Sequence, residues 1–457
     1  MSLIVGELHL ATLIKYNQMK TLKWIPVIIA MIFFACNQGE KPAAGPREAG
    51  PSVVEMRNVD GKYRLFVNDE EFYVKGAGCQ YGPCMEIAAH GGNSFRTWST
   101  GDSTQVALEA LDLAWENGLM VMMGVYVAKE RHGFDYDDEA AIEAQLERIR
   151  KEVIELKDHP ALLGWGIGNE LNLGYTNKRV WDEVNDIARM IKEVDGNHVV
   201  TTMLAGIGRA EVEYIAENCP DLDFISIQTY GNLINLEQRL KNAGYDGPYL
   251  VTEWGPTGHW EMPETKWGSP IEQTSAEKAE AIKLRYEEVL LADETNCMGS
   301  YVFLWGQKQE RTPSWYGLFT EAGEKTEAIN LMEYLWTGEW PENMAPRMKD
   351  ITIEGKGGRY DDVMLEKSTE YTVKLDVEHV DMESLSVRAE VMPEPVELSE
   401  GGDFEARPPS IEGLIISAHT SEVVFRAPAE KGAYRILVYI TDEHNHAGTA
   451  NIPFFVN

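Results

Sequence analysis

Two patterns of apolar and polar residues alternate along most of the chain. Short apolar runs bounded by turn residues predict strands, and longer stretches with apolar residues at helical spacing, such as 105–117 and 138–158, predict helices. Eight strand–helix repeats over about 270 residues predict an α/β fold, the (β/α)8 TIM barrel. The runs that predict its strands are residues 72–77, 92–98, 119–127, 161–168, 198–204, 223–230, 248–254 and 297–305.

The fourth run is the most informative stretch. Ala161 to Gly168 is apolar and rich in glycine, which is typical of a parallel strand buried on both faces. It stops at Asn169-Glu170. A carboxylate at the end of a buried strand is costly unless it is paired or used, and catalytic residues of (β/α)8 barrels lie at that end. From this stretch alone, a solvated Glu170 in a polar loop is an equally good interpretation.

A doubly wound open sheet is the alternative fold. The sequence disfavours it because no glycine fingerprint follows the first predicted strand and because the strand count is eight.

The regions on either side of the barrel have different patterns. Residues 53–66 alternate around Asp60-Gly61, which predicts a hairpin that plugs the bottom of the barrel. After residue 342, short alternating segments predict an immunoglobulin-like β-sandwich of about 110 residues. We therefore predict a barrel domain at 53–341 and a sandwich at 342–457. The segments are 371–377, 385–391, 422–425, 434–441 and 448–456.

The N-terminal segment predicts export. Basic residues 19–23 precede the apolar run Trp24 to Ala35, which has the length of a signal-peptide core and is too short to span a bilayer. Because Cys36 follows, the segment resembles a bacterial lipoprotein signal with Cys36 as the lipidated residue. We expect Met19 to be the true start, a leader to residue 36, a linker at 37–52, and anchoring in the bacterial cell envelope, periplasmic or at the surface. An uncleaved anchor is the alternative.

For the other four cysteines, the sequence does not decide between disulfides and free thiols. Cys79 and Cys84 are close enough to form a disulfide within one loop, and an exported protein permits it, but free buried thiols fit equally well. The sequence has neither a CxxC pair nor a histidine-rich cluster, so we predict no metal and no cofactor.

Charge and aromatic content narrow the class of partner. The formal net charge is −33, which excludes nucleic acid and anionic membrane surfaces as partners and leaves the lipid anchor as the membrane contact. It also disfavours a strongly acidic polysaccharide unless a local basic pocket exists. Many of the twelve Trp and nineteen Tyr lie beside turn residues. Such rings can stack on the C–H faces of sugars, although core packing is the simpler role for many of them.

A second carboxylate ends the seventh predicted strand, in Thr252-Glu253-Trp254-Gly255. Strand ends of a barrel meet at one mouth, so Glu170 and Glu253 can face each other across a cleft. Glycoside hydrolysis needs such a pair, with one carboxyl protonated and the other ionised. Unequal surroundings can separate the two pKa values.

These two strand ends together resemble the clan of retaining glycoside hydrolases built on (β/α)8 barrels, most closely the catalytic domain of glycoside hydrolase family 2 and relatives such as family 5. The resemblance covers residues 72–336. It implies that Glu170 is the acid/base, that Glu253 is the nucleophile and that Asn169 holds the sugar 2-hydroxyl. The hairpin stands where large sugar-binding domains usually precede a family 2 barrel, so we expect a smaller related family.

The resemblance also implies roles for three other strand-end residues. Arg96 would keep the nucleophile ionised, Tyr230 would donate a hydrogen bond to it, and Trp305 would form an aromatic platform under the sugar. The structural alternatives are a surface salt bridge for Arg96 and core packing for the two aromatic residues.

Further candidates for substrate contacts lie in loops and at strand ends, where loop anchoring is the alternative role. They are Gln80, Tyr81, Trp98, Tyr126, Trp254, His259, Trp260, Trp267, Lys308, Glu310, Trp315 and Tyr316.

The sequence thus predicts a lipid-anchored retaining glycosidase that cleaves a β-linked glycan, with a β-glucan, first of all a β-1,3-glucan, as the favoured substrate. A transglycosylase with the same two glutamates and a non-catalytic surface glycan-binding lipoprotein are the alternatives. We expect the sandwich to act as a spacer, with glycan binding as its alternative. The oligomeric state stays open.

Overall fold

The computed structural model describes residues 49–399 and 401–457. The predicted leader, the lipidation site Cys36 and most of the linker lie outside the described residues and stay predictions. The described residues belong to one compact unit, so the barrel and the C-terminal region pack together. In this part of the chain, the structure has no helix of the length and apolarity that crossing a membrane requires.

A closed barrel of eight parallel strands confirms the predicted fold. Each predicted run contains one strand or overlaps it, and the doubly wound alternative is wrong because the sheet closes. Around the barrel the order is β10-β11-β4-β5-β6-β7-β8-β9. The strands are β4 (Val74–Gly78), β5 (Ser94–Arg96), β6 (Met120–Val125), β7 (Leu162–Ile167), β8 (Val199–Ala205), β9 (Phe224–Gln228), β10 (Tyr249–Trp254) and β11 (Cys297–Val302).

Helices follow the strands and cover the outside of the barrel. Several begin at residues that cap them: Asp138 accepts hydrogen bonds from two backbone N–H groups, and Thr274 forms a capping box with Glu277. The helices are Glu86–Ala89, Thr104–Glu116, Glu139–Leu156, Arg179–Val194, Arg209–Asn218, Leu236–Ala243, Ser275–Arg285 and Glu327–Thr337.

The predicted hairpin closes the bottom of the barrel. Strands β1 (Val54–Val59) and β2 (Lys62–Val67) pair antiparallel around Asp60-Gly61, and β3 (Glu70–Phe72) adds a third strand. Both turn residues have positive φ, which a two-residue turn of this hand requires. Backbone bonds join the sheet to residues just before β8 and β11, so it lies at the amino ends of the strands. The carboxyl ends of the strands form the opposite mouth, which is where catalytic residues of (β/α)8 barrels lie.

Two further sheets lie C-terminal to the barrel and share one apolar core. Each of the five predicted segments corresponds to one strand, and the other five strands of these sheets were not predicted. One short strand, β12, comes from the barrel side of the chain and pairs in parallel with β21. The strands are β12 (Lys325–Thr326), β13 (Arg347–Ile353), β14 (Gly357–Gly358), β15 (Met364–Leu365), β16 (Glu370–Glu378), β17 (Ser386–Pro393), β18 (Ile415–His419), β19 (Glu422–Arg426), β20 (Gly432–Thr441) and β21 (His446–Val456).

Cys79 and Cys84 form a disulfide, which decides between the two possibilities that the sequence left open. It closes a short loop directly after β4. Cys219 and Cys297 are free and buried.

Candidate active site

Two glutamates stand at the carboxyl ends of β7 and β10. Glu253 lies within β10, and Glu170 follows β7 after a sharp turn at Gly168 and Asn169. Gly168 and Glu170 both have left-handed backbones, with φ of 69° and 53°. A non-glycine residue in this region is held there at a cost of about 1–3 kcal/mol. The N–H of Glu170 donates to the carbonyl of Met203 over 2.9 Å, which fixes the turn.

Glu253 is buried among hydrogen-bond donors. Its Oε1 accepts from Trp98 Nε1 over 2.8 Å, and its Oε2 accepts from the Tyr230 hydroxyl over 3.0 Å. Arg96 Nη1 lies 3.3 Å from Oε1. Because charge-assisted hydrogen bonds and a nearby cation stabilise a carboxylate, these surroundings suit an anionic nucleophile.

Arg96 links Glu253 to Asn169. The guanidinium is fully buried, and it donates to Asn169 Oδ1 over 2.7 Å and to the carbonyl of Thr252 over 3.1 Å. Gln228 Nε2 donates to the same Asn169 oxygen over 2.8 Å. With its oxygen held twice, the side chain of Asn169 presents its NH2 group as the donor for a ligand.

Glu170 has different surroundings. Burial, followed by the negative charge of Glu253, raises the pKa of Glu170 to about 8, although Lys129, Arg131 and Arg96 act in the opposite direction. These surroundings favour the protonated form of the Glu170 carboxyl. The two glutamates lie at one site, where Glu170 is suited to donate a proton and Glu253 is surrounded by hydrogen-bond donors and a cation.

Both glutamates line a cleft made of two adjoining cavities of about 410 and 600 Å³. Five residues line both cavities: Glu170, Glu253, Phe303, Gly401 and Gly402. We call the smaller cavity the first half and the larger one the second half. Other residues of the first half include Gln80, Tyr81, Trp98, Tyr126, Lys129, Asn169 and Lys308. Those of the second half include Arg131, Tyr230, His259, Trp260, Glu310 and Tyr316.

Trp260 and Lys308, two of the predicted substrate contacts, line different halves of the cleft. Trp260 is 59% exposed in the second half, where its ring meets Tyr230 edge-on at 5.6 Å. Lys308 lies in the first half, with Nζ 2.7 Å from Glu310 Oε2. Among the residues that the structure describes, it contains no group of three His, Cys, Asp or Glu side chains placed to hold a metal ion.

The structure places Trp254 and Trp305 differently from the prediction. Both are 0% exposed. Trp254 follows Glu253 in the strand and so points to the outer face, where its ring stacks on Tyr286 at 5.6 Å. Trp305 borders the cleft, but its ring stacks on Trp336 at 5.7 Å, so it presents no open face to a sugar.

Other candidates anchor loops. The Trp267 ring packs on Phe455, and Trp315 is buried with its Nε1 donating to the carbonyl of Thr257.

Phe303 is the aromatic residue at the base of the cleft that the sequence analysis missed. Its ring lies 5.9 Å from Trp98, 5.9 Å from Tyr230 and 5.8 Å from Tyr316, edge-on in each case. Phe303 lies inside the predicted eighth strand, two positions before Trp305, which was selected because it ends that apolar run. Lys129 and Arg131 were also missed, because nothing in their local pattern marks a site.

Part of the barrel matches the model of a known protein family. Residues 89–262 match the model of glycosyl hydrolases family 2, TIM barrel domain, a segment that contains both glutamates. The matched segment is similar to the barrel domain of that family. The family resemblance inferred from the two strand ends is thereby confirmed. A search of curated proteins found no match.

The chain is also similar to several solved structures at low identity. A β-glucuronidase from Bacteroides uniformis is 14% identical over 88% of this chain and 48% of its own, with a TM-score of 0.45. A β-D-glucuronidase from Dictyoglomus thermophilum is 18% identical over 64% and 54%, at 0.48. A family 5 mannosidase from Rhizomucor miehei is 12% identical over 61% and 96%, at 0.46. The chain spans about half the length of the two glucuronidases.

We expect Tyr230→Phe to lower kcat/KM by about 10- to 100-fold, because it removes one hydrogen bond to a charged carboxylate, worth about 1.5–3 kcal/mol. Steady-state kinetics on an aryl glycoside measure the change. Tyr249→Phe is the matched control. Tyr249 is buried at the start of β10, its hydroxyl donates to Asp293, and it does not line the cleft. An equal loss in both variants would contradict a role for Tyr230 at the nucleophile.

We expect Trp305→Ala to destabilise the fold by about 3–5 kcal/mol, the usual effect of removing a buried large aromatic side chain. Denaturant unfolding measures it. Trp260→Ala is the control, because its exposed ring should change the free energy of unfolding by less than about 0.5 kcal/mol. A stable Trp305→Ala variant that had lost only substrate affinity would restore the platform role.

Proposed function

We propose that this protein is a retaining glycosidase that hydrolyses O-glycosidic bonds of a β-linked glycan by double displacement. The observation that carries the proposal is the contrast between the two glutamates. Glu253 accepts hydrogen bonds from Trp98 and Tyr230 and lies beside Arg96, whereas burial raises the pKa of Glu170 and favours its protonated form.

In the first step, a carboxylate oxygen of Glu253 attacks the anomeric carbon as the bond to the leaving oxygen breaks. Glu170 gives its proton to that oxygen, and a glycosyl ester on Glu253 forms. In the second step, Glu170, now ionised, takes a proton from water. The water oxygen bonds to the anomeric carbon, and Glu253 leaves as a carboxylate. Two inversions give net retention.

Two other features of the cleft support this assignment. The NH2 group of Asn169 is suited to the sugar 2-hydroxyl, where a hydrogen bond gains strength in the transition state. Exposed rings of Tyr81, Tyr126 and Trp260 offer faces for sugars on both sides of the glutamates. A β-glucan remains the favoured substrate.

A glycan panel tests the proposal. Protein lacking residues 1–36 is incubated with β-glucans, β-mannans, xylans and aryl β-glycosides, and the anomer released first is recorded by NMR. Release of the β-anomer supports retention, and release of the α-anomer would refute it. Products longer than the substrate would favour the transglycosylase. Tight binding to one glycan without turnover would favour the non-catalytic lipoprotein.

We also propose that the protein is exported and anchored to the cell envelope through a lipid on Cys36, as the lipoprotein-like signal indicates. Radiolabelled palmitate should label the natural chain and not Cys36→Ser, and the variant should leave the membrane fraction. Equal labelling of both would refute the anchor. The two C-terminal sheets are proposed to form an immunoglobulin-like sandwich, since their buried residues belong to one core.

A further inference from the structure

The connection between β17 and β18 reaches from the C-terminal sheets to the mouth of the barrel. Gly401 and Gly402 line both halves of the cleft, and Ser399 lines the second half. We call Ser399 together with residues 401–405 the strap.

Both ends of the strap, Ser399 and Glu405, meet at the loop after β11. Glu405 is buried, and its carboxylate accepts from the N–H of Arg311 and from Arg311 Nη1, each over 2.7 Å. Gln309 Nε2 and the N–H of Ser399 add bonds of 3.1 Å. A buried carboxylate with this many donors holds its segment firmly.

The middle of the strap, at Gly401 and Asp403, is tied to the segment after β6. Asp403 accepts from Arg131 Nη2 over 3.1 Å and lies 2.9 Å from His132 Nε2. The carbonyl of Gly401 accepts from the same Arg131 nitrogen over 3.2 Å. In the closed barrel, β4 and β5 separate β11 from β6 on one side and four strands separate them on the other. The strap therefore crosses the mouth from one rim to the other.

The glycines allow the strap to pass close to the rim. A Cβ on Gly401 would lie 2.8 Å from Leu173 Cδ1 and 3.0 Å from Arg131 Nη2, and the residue has a φ of +54°. Gly402 has a φ of +79°, and its nearest side-chain atom is Lys308 Nζ, 3.7 Å from a Cβ built there. A larger residue at 401 would push the strap away from the rim.

We propose that the strap is a specificity determinant that restricts this site to the ends of glycan chains. The inference rests on the proposed function. Both halves of the cleft meet at the glutamate pair, and Gly401 and Gly402 line both halves there. A polysaccharide lying across the mouth would have to displace a segment that is tied at both rims, whereas a chain end enters without crossing it.

Hexasaccharides in open form and in a form capped by a benzylidene acetal at the non-reducing end test the proposal. The set covers β-1,3-glucan, β-1,4-glucan and β-1,4-mannan, whose terminal sugars carry the O4 and O6 that the acetal bridges. The wild type should cleave an open substrate at least about 100-fold faster than its capped form. In the double variant Asp403→Asn/Glu405→Gln, which loosens both ties, the preference should fall at least tenfold. Glu397→Gln, an exposed change in the same connection, should keep the wild-type preference.

A wild type that cleaves capped and open substrates equally would overturn the proposal, as would a folded double variant with an unchanged preference. Asp403→Asn alone serves if the double variant does not fold. Calorimetric binding of the same pairs to Glu253→Gln gives a readout without turnover. If the wild type cleaves none of the substrates and Glu253→Gln still prefers open chains, the result supports the strap and refutes glycosidase activity. The failure of the strap proposal and the failure of the proposed function are therefore distinguishable.

Discussion

Glu253→Gln is expected to reduce kcat/KM on any glycoside by roughly 10⁴-fold or more, as loss of a catalytic nucleophile does. Gln has nearly the same shape and can still meet Trp98 and Tyr230, so the fold should be kept while the ability to form a glycosyl ester is lost. Steady-state kinetics on an aryl β-glycoside with a good leaving group measure the effect.

Two comparisons make this result specific to the nucleophile. Glu261→Gln is the control, because Glu261 also lines the cleft but accepts from the backbone N–H groups of Gly231, Asn232 and Gly258 in a loop. In Glu253→Ala, added azide should restore turnover and give the α-glycosyl azide, since a single displacement inverts the anomeric carbon. Turnover surviving in Glu253→Gln would refute its assignment.

Glu170→Gln is expected to reduce turnover to an extent that depends on how much the leaving group needs a proton. Without proton donation, substrates with sugar leaving groups should lose about 10²- to 10⁴-fold, the usual contribution of a general acid. A dinitrophenyl glycoside needs no proton, so formation of its glycosyl ester should be nearly unchanged. Burst kinetics with both substrates separate the two steps.

The pH profile gives an independent test of the same residue. A carboxyl with its pKa raised to about 8 holds its proton below that pH and loses it above. Wild-type kcat/KM on a sugar leaving group should therefore fall as pH rises past about 8, and the Glu170→Gln profile should lack this limb. A limb that persists in the variant would assign the proton donor to another group.

The barrel could be predicted from sequence because its strands are buried on both faces. Such strands are continuous apolar runs, and their ends are marked by the first polar residues, which is how Asn169, Glu170 and Glu253 were found. Parallel closure then brings ends that are distant in sequence to one mouth. The bottom hairpin carried its own local signal, Asp60-Gly61.

The rest of the site could not be predicted because it depends on side-chain direction and on long-range contacts. Trp254 differs from Glu253 by one position in a strand, and that single step turns its ring to the outer face. Phe303 and Trp305 lie in one apolar run, and only the path of the chain after β11 decides which ring meets the cleft. Nothing near Asp403 or Glu405 indicates that they meet Arg131 and Arg311.

The pairing of β12 with β21 sets an order of events during synthesis. Lys325 and Thr326 directly follow the β11 loops that form one rim of the mouth, yet their strand partners are His446 and Ala447. The residues of the barrel are synthesised before those of the strap and of β21. The strand β12 therefore gains its partner only after residues 446 and 447 have been synthesised, and a chain stalled earlier leaves the end of the β11 loops without this pairing.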